Sequence, residues 1–121
     1  MATILIVDDS LTVRTQLKSI LSTAGHNVVE AVDGNDGIQK LEAHKNIEVI
    51  ISDYHMKNTD GFSMLSIARA KFGADRFKIF MLTSVANKDL KEQGKALGIL
   101  SWIIKPVDGD RLVAAIKLAL G

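Results

Sequence analysis

The sequence predicts an α/β fold: a doubly wound, five-stranded parallel sheet that forms the middle layer of a three-layer sandwich. Short apolar runs rich in β-branched residues alternate with segments whose apolar residues recur every three or four positions. The run at 49–51 is apolar at consecutive positions, which is typical of a parallel strand covered by helices on both faces. Such alternation implies right-handed crossovers. With 121 residues, the chain is predicted to form one domain, residues 1–121.

The strands are predicted from apolar runs that end in polar or turn-forming residues. The second run is the weakest, which indicates an outer strand of the sheet. The central run ends at Asp53. The predicted strands are residues 4–7, 27–32, 49–53, 77–82 and 99–104.

The helices are predicted from apolar positions at helical spacing and from residues that cap their ends. Ser10 is expected to be the N-cap of the first helix and Gly25 its C′ residue. An Asp33-Gly34 turn precedes the second helix, which Gly37 should weaken by about 1 kcal/mol relative to Ala. The remaining helices are predicted at residues 62–72, at residues 87–97, and after Asp108 with Leu112, Ile116 and Leu120 on the inner face.

Composition excludes several classes of protein. The net charge is +1 with Lys and Arg spread along the chain, so no surface for DNA, RNA or an anionic membrane is predicted. The lack of cysteine excludes disulfides, thiolate metal sites and cysteine nucleophiles. The start has no signal-peptide pattern, and no apolar run approaches the roughly 18 residues of a membrane span. We expect a cytoplasmic protein, and the sequence leaves both a monomer and a weak dimer open.

Polar side chains follow four of the predicted strands, at the edge where the carboxyl ends of parallel strands meet. Ligands of open α/β sheets bind beyond this edge. Each residue alone is typical of turn or capping chemistry, but their joint placement predicts a site. The residues are Asp8 and Asp9 after strand one, Asp53 at strand three, Thr83 after strand four and Lys105 after strand five.

Three carboxylates in one crevice need positive charge between them. Two carboxylates about 5 Å apart repel by roughly 3 kcal/mol at an effective dielectric near 20. Lys105 supplies one positive charge, and the remaining excess suits Mg²⁺, which binds carboxylates, water and phosphate oxygens. Asp53 could then attack phosphorus as a carboxylate nucleophile, while the cation and Lys105 neutralise the transferring group.

These motifs resemble the receiver domain of bacterial two-component response regulators, especially stand-alone receivers of the chemotaxis type. The resemblance covers the entire chain and implies a flavodoxin-like sheet with strand order 2-1-3-4-5. It rests on Ile-Val-Asp-Asp-Ser at 6–10, Ile-Ser-Asp-Tyr-His-Met at 51–56, Asp60-Gly61, Leu82-Thr83-Ser84 and Lys105-Pro106.

The resemblance implies a phosphorylation site. Asp53 would accept a phosphoryl group from a sensor histidine kinase or a phosphotransfer protein. Thr83 and Lys105 would contact the phosphate oxygens, and the Lys105-Pro106 bond would be cis. The protein would catalyse phosphotransfer and dephosphorylation only on itself. Mg²⁺ would be bound by Asp8, Asp9, Asp53 and the backbone carbonyl of His55.

The resemblance also implies a switch, in which phosphorylation couples Thr83 to Trp102 on strand five. The face formed by helix four, strand five and helix five would then bind a downstream protein effector. Three residues depart from the family pattern. Lys57 stands where Pro is usual, Trp102 where Tyr or Phe is commoner, and Val107 where an aromatic residue is frequent.

Three alternatives stay open on the sequence. A phosphatase on this scaffold usually has Asp-x-Asp after strand one, whereas this chain has Asp8-Asp9-Ser10. A flavin-mononucleotide carrier would need a Ser-, Thr- or Gly-rich loop there to hold phosphate on a helix N-terminus. A pseudo-receiver would bind partners without being phosphorylated. The intact set of Asp8, Asp9, Asp53, Thr83 and Lys105 counts against this alternative, and Trp102 keeps it open.

Overall fold

The structure, a computed structural model, describes residues 1–56, 60–84 and 87–121. Within these ranges, five strands alternate with five helices, and all strands pair in parallel in the order β2-β1-β3-β4-β5. The predicted fold class, outer strand and strand order are confirmed. The elements are β1 (Thr3–Val7), α1 (Leu11–Thr23), β2 (Asn27–Ala31), α2 (Gly34–Ala43), β3 (Ile47–Asp53), α3 (Gly61–Phe72), β4 (Lys78–Thr83), α4 (Lys88–Lys95), β5 (Ile99–Ile104) and α5 (Gly109–Leu120).

Several strands and helices begin or end at residues other than the predicted ones, because the hydrophobic pattern of the sequence does not mark their ends. β3 begins at Ile47, before the exposed Glu48 interrupts the buried run. The predicted second strand included Val32, which lies beyond β2. The predicted fourth helix was too long at its C-terminal end, since the chain leaves α4 through a turn in which Gly98 has a φ of +76°.

The start of α2 shows why Gly37 is present in that helix. Asp33 is the N-cap, and its Oδ1 accepts a hydrogen bond from the Asp36 N–H at 2.7 Å, so the predicted turn is the helix start. A Cβ atom on Gly37 would lie 2.8 Å from Met64 Sδ and 3.4 Å from Val7 Cγ2. Gly37 therefore allows α2 to pack closely on α3 and β1, which the propensity argument alone did not predict.

Two apolar cores cover the two faces of the sheet. Alternate residues of β3 point to opposite faces, so Val49 and Ile51 belong to one core and Ile50 to the other. Leu17 and Leu21 of α1 pack with Leu112 and Ile116 of α5 in the first core, together with Ile4, Ile6, Phe80 and Leu82 of the strands. The second core is formed by Leu41 of α2, Met64, Leu65 and Ala68 of α3, and Leu5, Val7, Ile79 and Met81 of the strands. Within the described ranges, no helix is long and apolar enough to cross a membrane.

Helix caps fix where the loops at the carboxyl edge turn into helices. Ser10 Oγ accepts a hydrogen bond from the Val13 N–H, as predicted for an N-cap. Asp108 Oδ1 likewise accepts from the N–H groups of Asp110 and Arg111. These caps start α1 and α5 directly after the residues predicted to form the site.

Candidate functional site

The carboxyl ends of β1, β3, β4 and β5 meet at one edge of the sheet and bring the predicted residues there. Asp53 pairs with Leu82 in the β3–β4 register, one residue before Thr83. The Lys105 N–H donates a hydrogen bond to the Thr83 carbonyl oxygen at 2.8 Å, which continues the pairing of β4 with β5. The parallel sheet therefore brings together groups that are far apart in the sequence.

Among the residues that the structure describes, the acidic side chains form a compact cluster with the Lys105 ammonium group. Asp8, Asp9 and Asp53 each place a carboxylate oxygen within 4.8 Å of the others. Lys105 Nζ lies 3.0 Å from Asp8 Oδ2 and 3.3 Å from Asp53 Oδ2. Asp8 and Asp53 are buried, whereas Asp9 is exposed at the mouth of the crevice.

Burial and charge shift the pKa values of two groups at this site. Burial raises the pKa of Asp53, and the neighbouring Asp8 carboxylate raises it further, although Lys105 opposes both effects. Burial alone would lower the pKa of Lys105, but hydrogen bonding and attraction to Asp8 and Asp53 outweigh burial and raise it. The ammonium form of Lys105 is thus held by the carboxylates, while the Asp53 carboxylate remains short of compensating charge.

A family model of the response regulator receiver domain matches residues 4–117. The chain belongs to this family. Over 119 residues it is 30% identical to chemotaxis protein CheY1 of Helicobacter pylori, and the match covers 98% of this chain and 96% of CheY1. Over 118 residues it is 31% identical to the transcriptional regulatory protein PdtaR of Mycobacterium tuberculosis, covering 97% of this chain and 56% of PdtaR. The solved structure of Vibrio cholerae chemotaxis protein CheY4 matches with a TM-score of 0.91, 32% identity and 98% of both chains covered.

Receiver domains bind Mg²⁺ at an acidic pocket, and the donor set of this receiver domain fits such an ion. Its carboxylate oxygens are the hard ligands that Mg²⁺ prefers. Among the described residues, the Lys105 ammonium group contacts two of the three carboxylates in the cluster. Burial raises the pKa of Asp53 most, and the Asp8 carboxylate raises it further, so part of the shift comes from negative charge that a cation would offset.

The remaining predicted residues lie at the same edge. Thr83 is buried at the last position of β4. The backbone N–H of His55 donates a hydrogen bond to the Asp53 carboxylate, and the His55 side chain is exposed. The Lys105-Pro106 peptide bond is cis, as the resemblance implied. Lys57, the departure from the usual Pro, lies outside the described residues.

Trp102 belongs to an aromatic cluster beside the site. Its ring centroid lies 5.9 Å from that of Phe62 and 6.5 Å from that of Tyr54, and the Phe62 and Tyr54 centroids are 4.8 Å apart. A Cβ atom on Gly94 of α4 would lie 3.1 Å from Trp102 Cζ2 and 2.8 Å from Ile99 Cδ1. Gly94 therefore makes room for an indole on β5. Sequence reasoning missed this residue, although a glycine inside a short helix is a signal of close packing.

Gly61 holds the first turn of α3 against the backbone of the Asp53 strand. Its N–H donates to the Tyr54 carbonyl oxygen at 2.9 Å. A Cβ atom there would lie 2.7 Å from the Asp53 carbonyl oxygen and 3.0 Å from Met81 Cε. The sequence showed Gly61 only as part of a motif, and the close approach explains why glycine is needed.

Replacing Gly61 with Ala is therefore expected to lower the free energy of unfolding by about 1–3 kcal/mol, because the backbone oxygen cannot move aside as a side chain can. Urea denaturation measures the change. Ser66→Ala, at an exposed position of the same helix, is the control and should change stability little. Equal stability of the two variants would show that the contact at Gly61 is relieved without cost.

Proposed function

We propose that this receiver domain is a phosphorylation-activated switch and that residues 1–121 form one functional unit. Asp53 accepts a phosphoryl group from a phosphohistidine of a sensor histidine kinase or a phosphotransfer protein. The observation that carries the proposal is the cluster of Asp8, Asp9 and Asp53 oxygens within 4.8 Å, with Lys105 Nζ in contact with two of the three carboxylates.

The proposed reaction is a transfer between two nucleophiles. A carboxylate oxygen of Asp53 forms a bond to phosphorus as the P–N bond of the phosphohistidine breaks, and the bonding electron pair leaves with the imidazole. Lys105 and Thr83 contact the phosphoryl oxygens. Mg²⁺, held by Asp8, Asp9, Asp53 and the His55 carbonyl, would neutralise negative charge that develops during transfer.

Asp53 is suited to the role of acceptor by its position. It ends the central strand and is only 5% exposed, so an acyl phosphate formed there is partly shielded from water. Lys105 Nζ lies 3.3 Å from Asp53 Oδ2. The only chemistry we propose is transfer to Asp53 and its later hydrolysis; no external substrate is turned over.

The switch would run from Thr83 to Trp102 and on to the face of α4, β5 and α5. A cleft of about 480 Å³ lies on the β5 and α5 part of this face and is lined by Trp102, Ile104, Lys105 and Arg111 among others. It joins the site residue Lys105 to the aromatic residue of β5. A change at the phosphoryl group could therefore alter the shape of this cleft and its affinity for a downstream protein.

The proposal also includes the setting in which the switch acts. We propose a cytoplasmic protein that acts on protein partners, as a monomer or a weak dimer, and not on nucleic acid or within a membrane. The near-neutral charge of +1 supports the absence of a nucleic-acid partner.

Incubation with Mg²⁺ and acetyl phosphate followed by mass spectrometry tests the proposal. Acetyl phosphate replaces the phosphohistidine, and acetate is the leaving group. We expect one labile adduct with the mass of a phosphoryl group, which is absent without Mg²⁺ and absent in Asp53→Asn. A pseudo-receiver would give no adduct in any sample. Turnover of an external phosphate ester would instead support a phosphatase.

A further inference from the structure

Arg14 reaches from the first turn of α1 to the backbone of the acidic cluster. Its Nη1 donates a hydrogen bond to the Asp8 carbonyl oxygen at 2.7 Å. Its Nε lies 3.3 Å from Glu30 Oε1 on β2, and the Arg14 side chain is only 11% exposed. One guanidinium group therefore connects the end of β1, the outer strand and α1.

The position of Arg14 is unfavourable by local rules, which indicates that its tertiary contacts determine it. A cation near the N-terminal end of a helix is disfavoured by the helix dipole, by about 0.3–1 kcal/mol. The first turn of α1 contains no acidic residue to compensate it. The bond to Asp8 and the ion pair with Glu30 supply the compensation.

The hydrogen bond from Arg14 completes the set of contacts that hold Asp8 in place. The Asp8 N–H donates to the Ala31 carbonyl oxygen at 3.1 Å. Asp8 Oδ1 accepts from the Ser10 N–H at 2.9 Å, and Oδ2 accepts from Lys105 Nζ at 3.0 Å. With the Arg14 bond, every polar atom of Asp8 has a partner. The Arg14 bond is the one that orients the peptide group between Asp8 and Asp9.

We propose that Arg14 is a positioning residue for cation binding: it fixes the Asp8–Asp9 peptide and so aims the exposed Asp9 carboxylate into the crevice. The inference rests on the proposed function, because it concerns the same Mg²⁺ site. It assigns Arg14 no contact with the ion. Loss of an outer partner of this kind typically weakens metal binding about 10- to 100-fold.

A purely electrostatic argument predicts the opposite change in Mg²⁺ affinity, so an experiment can distinguish it from the positioning role. Arg14 is a cation that contacts the backbone of the acidic cluster, so its charge repels Mg²⁺. If only charge mattered, removing Arg14 would tighten Mg²⁺ binding and Arg14→Lys would leave it unchanged. If Arg14 positions the peptide, both substitutions weaken binding, because an ammonium group lacks the planar fork that reaches two partners at once.

Calorimetric titration of the metal-free protein with Mg²⁺ distinguishes the charge effect of Arg14 from its positioning effect. We expect Arg14→Met to bind Mg²⁺ about tenfold more weakly than the wild type. The Mg²⁺ affinity of Arg14→Lys should lie between those of the wild type and Arg14→Met. Lys18→Met is the matched control. Lys18 pairs with the same Glu30, 3.7 Å from Oε2, but is mostly exposed, so the control should bind Mg²⁺ as the wild type does. At saturating Mg²⁺, the rate of adduct formation from acetyl phosphate should return to the wild-type rate in Arg14→Lys.

The outcomes separate this inference from the proposed function. A wild-type protein that takes up no Mg²⁺ would contradict the proposed function itself. Wild-type binding together with equal or tighter binding by Arg14→Met and Arg14→Lys would overturn the role of Arg14 alone. Equal weakening in Lys18→Met would also overturn it, since the effect would then follow from the charge around Glu30.

Discussion

Replacing Lys105 with Met is expected to slow phosphorylation of Asp53 by acetyl phosphate about 10²- to 10³-fold at saturating Mg²⁺. The range is that seen when one preorganised donor to a developing oxyanion is removed. Lys105 Nζ lies 3.3 Å from Asp53 Oδ2 and 3.0 Å from Asp8 Oδ2, so its charge is fixed before the phosphoryl group arrives. The measurement is the rate of adduct formation by mass spectrometry over a range of acetyl phosphate concentrations.

The same substitution should destabilise the metal-free protein by about 3 kcal/mol, because it leaves a fully buried Asp8 carboxylate without its ion-pair partner. The pKa of Lys105 is raised above 10.5 in the folded protein. Its contribution to stability is therefore fully present below about pH 10.5 and is lost only as pH rises through the folded-state value. At neutral pH the wild type has the whole contribution and the variant has none.

Lys78→Met is the control for Lys105→Met, since Lys78 is an exposed residue at the start of β4. Urea denaturation should show little change for the control. Added Mg²⁺ should restore much of the stability of Lys105→Met, because a divalent cation supplies the missing positive charge. A variant that unfolds at the wild-type urea concentration without Mg²⁺ would show that the carboxylates do not depend on Lys105.

The parts of the site that depend on strand ends could be predicted from the sequence. A buried apolar run shows where a strand ends, and a parallel sheet brings all carboxyl ends to one edge. Asp8, Asp53 and Lys105 could therefore be placed together without knowledge of any distance, and the cluster confirms that placement. Their roles in phosphotransfer stay predictions.

The parts that depend on side-chain reach could not be predicted. Arg14 follows the pattern of a polar residue on an amphipathic helix, and nothing in the sequence shows that its guanidinium group lies against the Asp8 carbonyl. Gly94 and Trp102 are eight positions apart, and their complementary sizes become visible only once α4 lies on β5. Such contacts depend on distances of a few tenths of an ångström, which residue patterns do not encode.

Replacing Asp53 with Asn should raise the free energy of unfolding of the metal-free protein by about 1–3 kcal/mol at about pH 7, although it removes the proposed phosphoryl acceptor. The side chains are nearly the same in shape, and the substitution removes one charge from a cluster in which close carboxylate pairs repel by roughly 3 kcal/mol. Loss of the attraction to Lys105, 3.3 Å away, offsets part of the gain. Urea denaturation in a chelating buffer measures the difference.

The pH dependence of stability gives an independent check on the direction of the stability change in Asp53→Asn. Burial and Asp8 raise the folded-state pKa of Asp53 above the ordinary value of 3.8. Folding therefore favours the protonated form, and its contribution to stability is present below about pH 3.8 and lost as pH rises through the folded-state value. The advantage of Asp53→Asn should accordingly be largest near neutral pH and disappear as the solution becomes acidic enough to protonate Asp53 in the wild type.

Mg²⁺ should make the wild type more stable than Asp53→Asn. The wild type gains more stability the more tightly it binds the ion, whereas the variant has lost one carboxylate ligand. Asp75→Asn makes the same chemical change at an exposed position after α3 and should alter neither the stability nor its response to Mg²⁺. A less stable Asp53→Asn protein without Mg²⁺ would mean that Lys105 already neutralises the cluster. The physical reason for a cation at this edge of the sheet would then be lost.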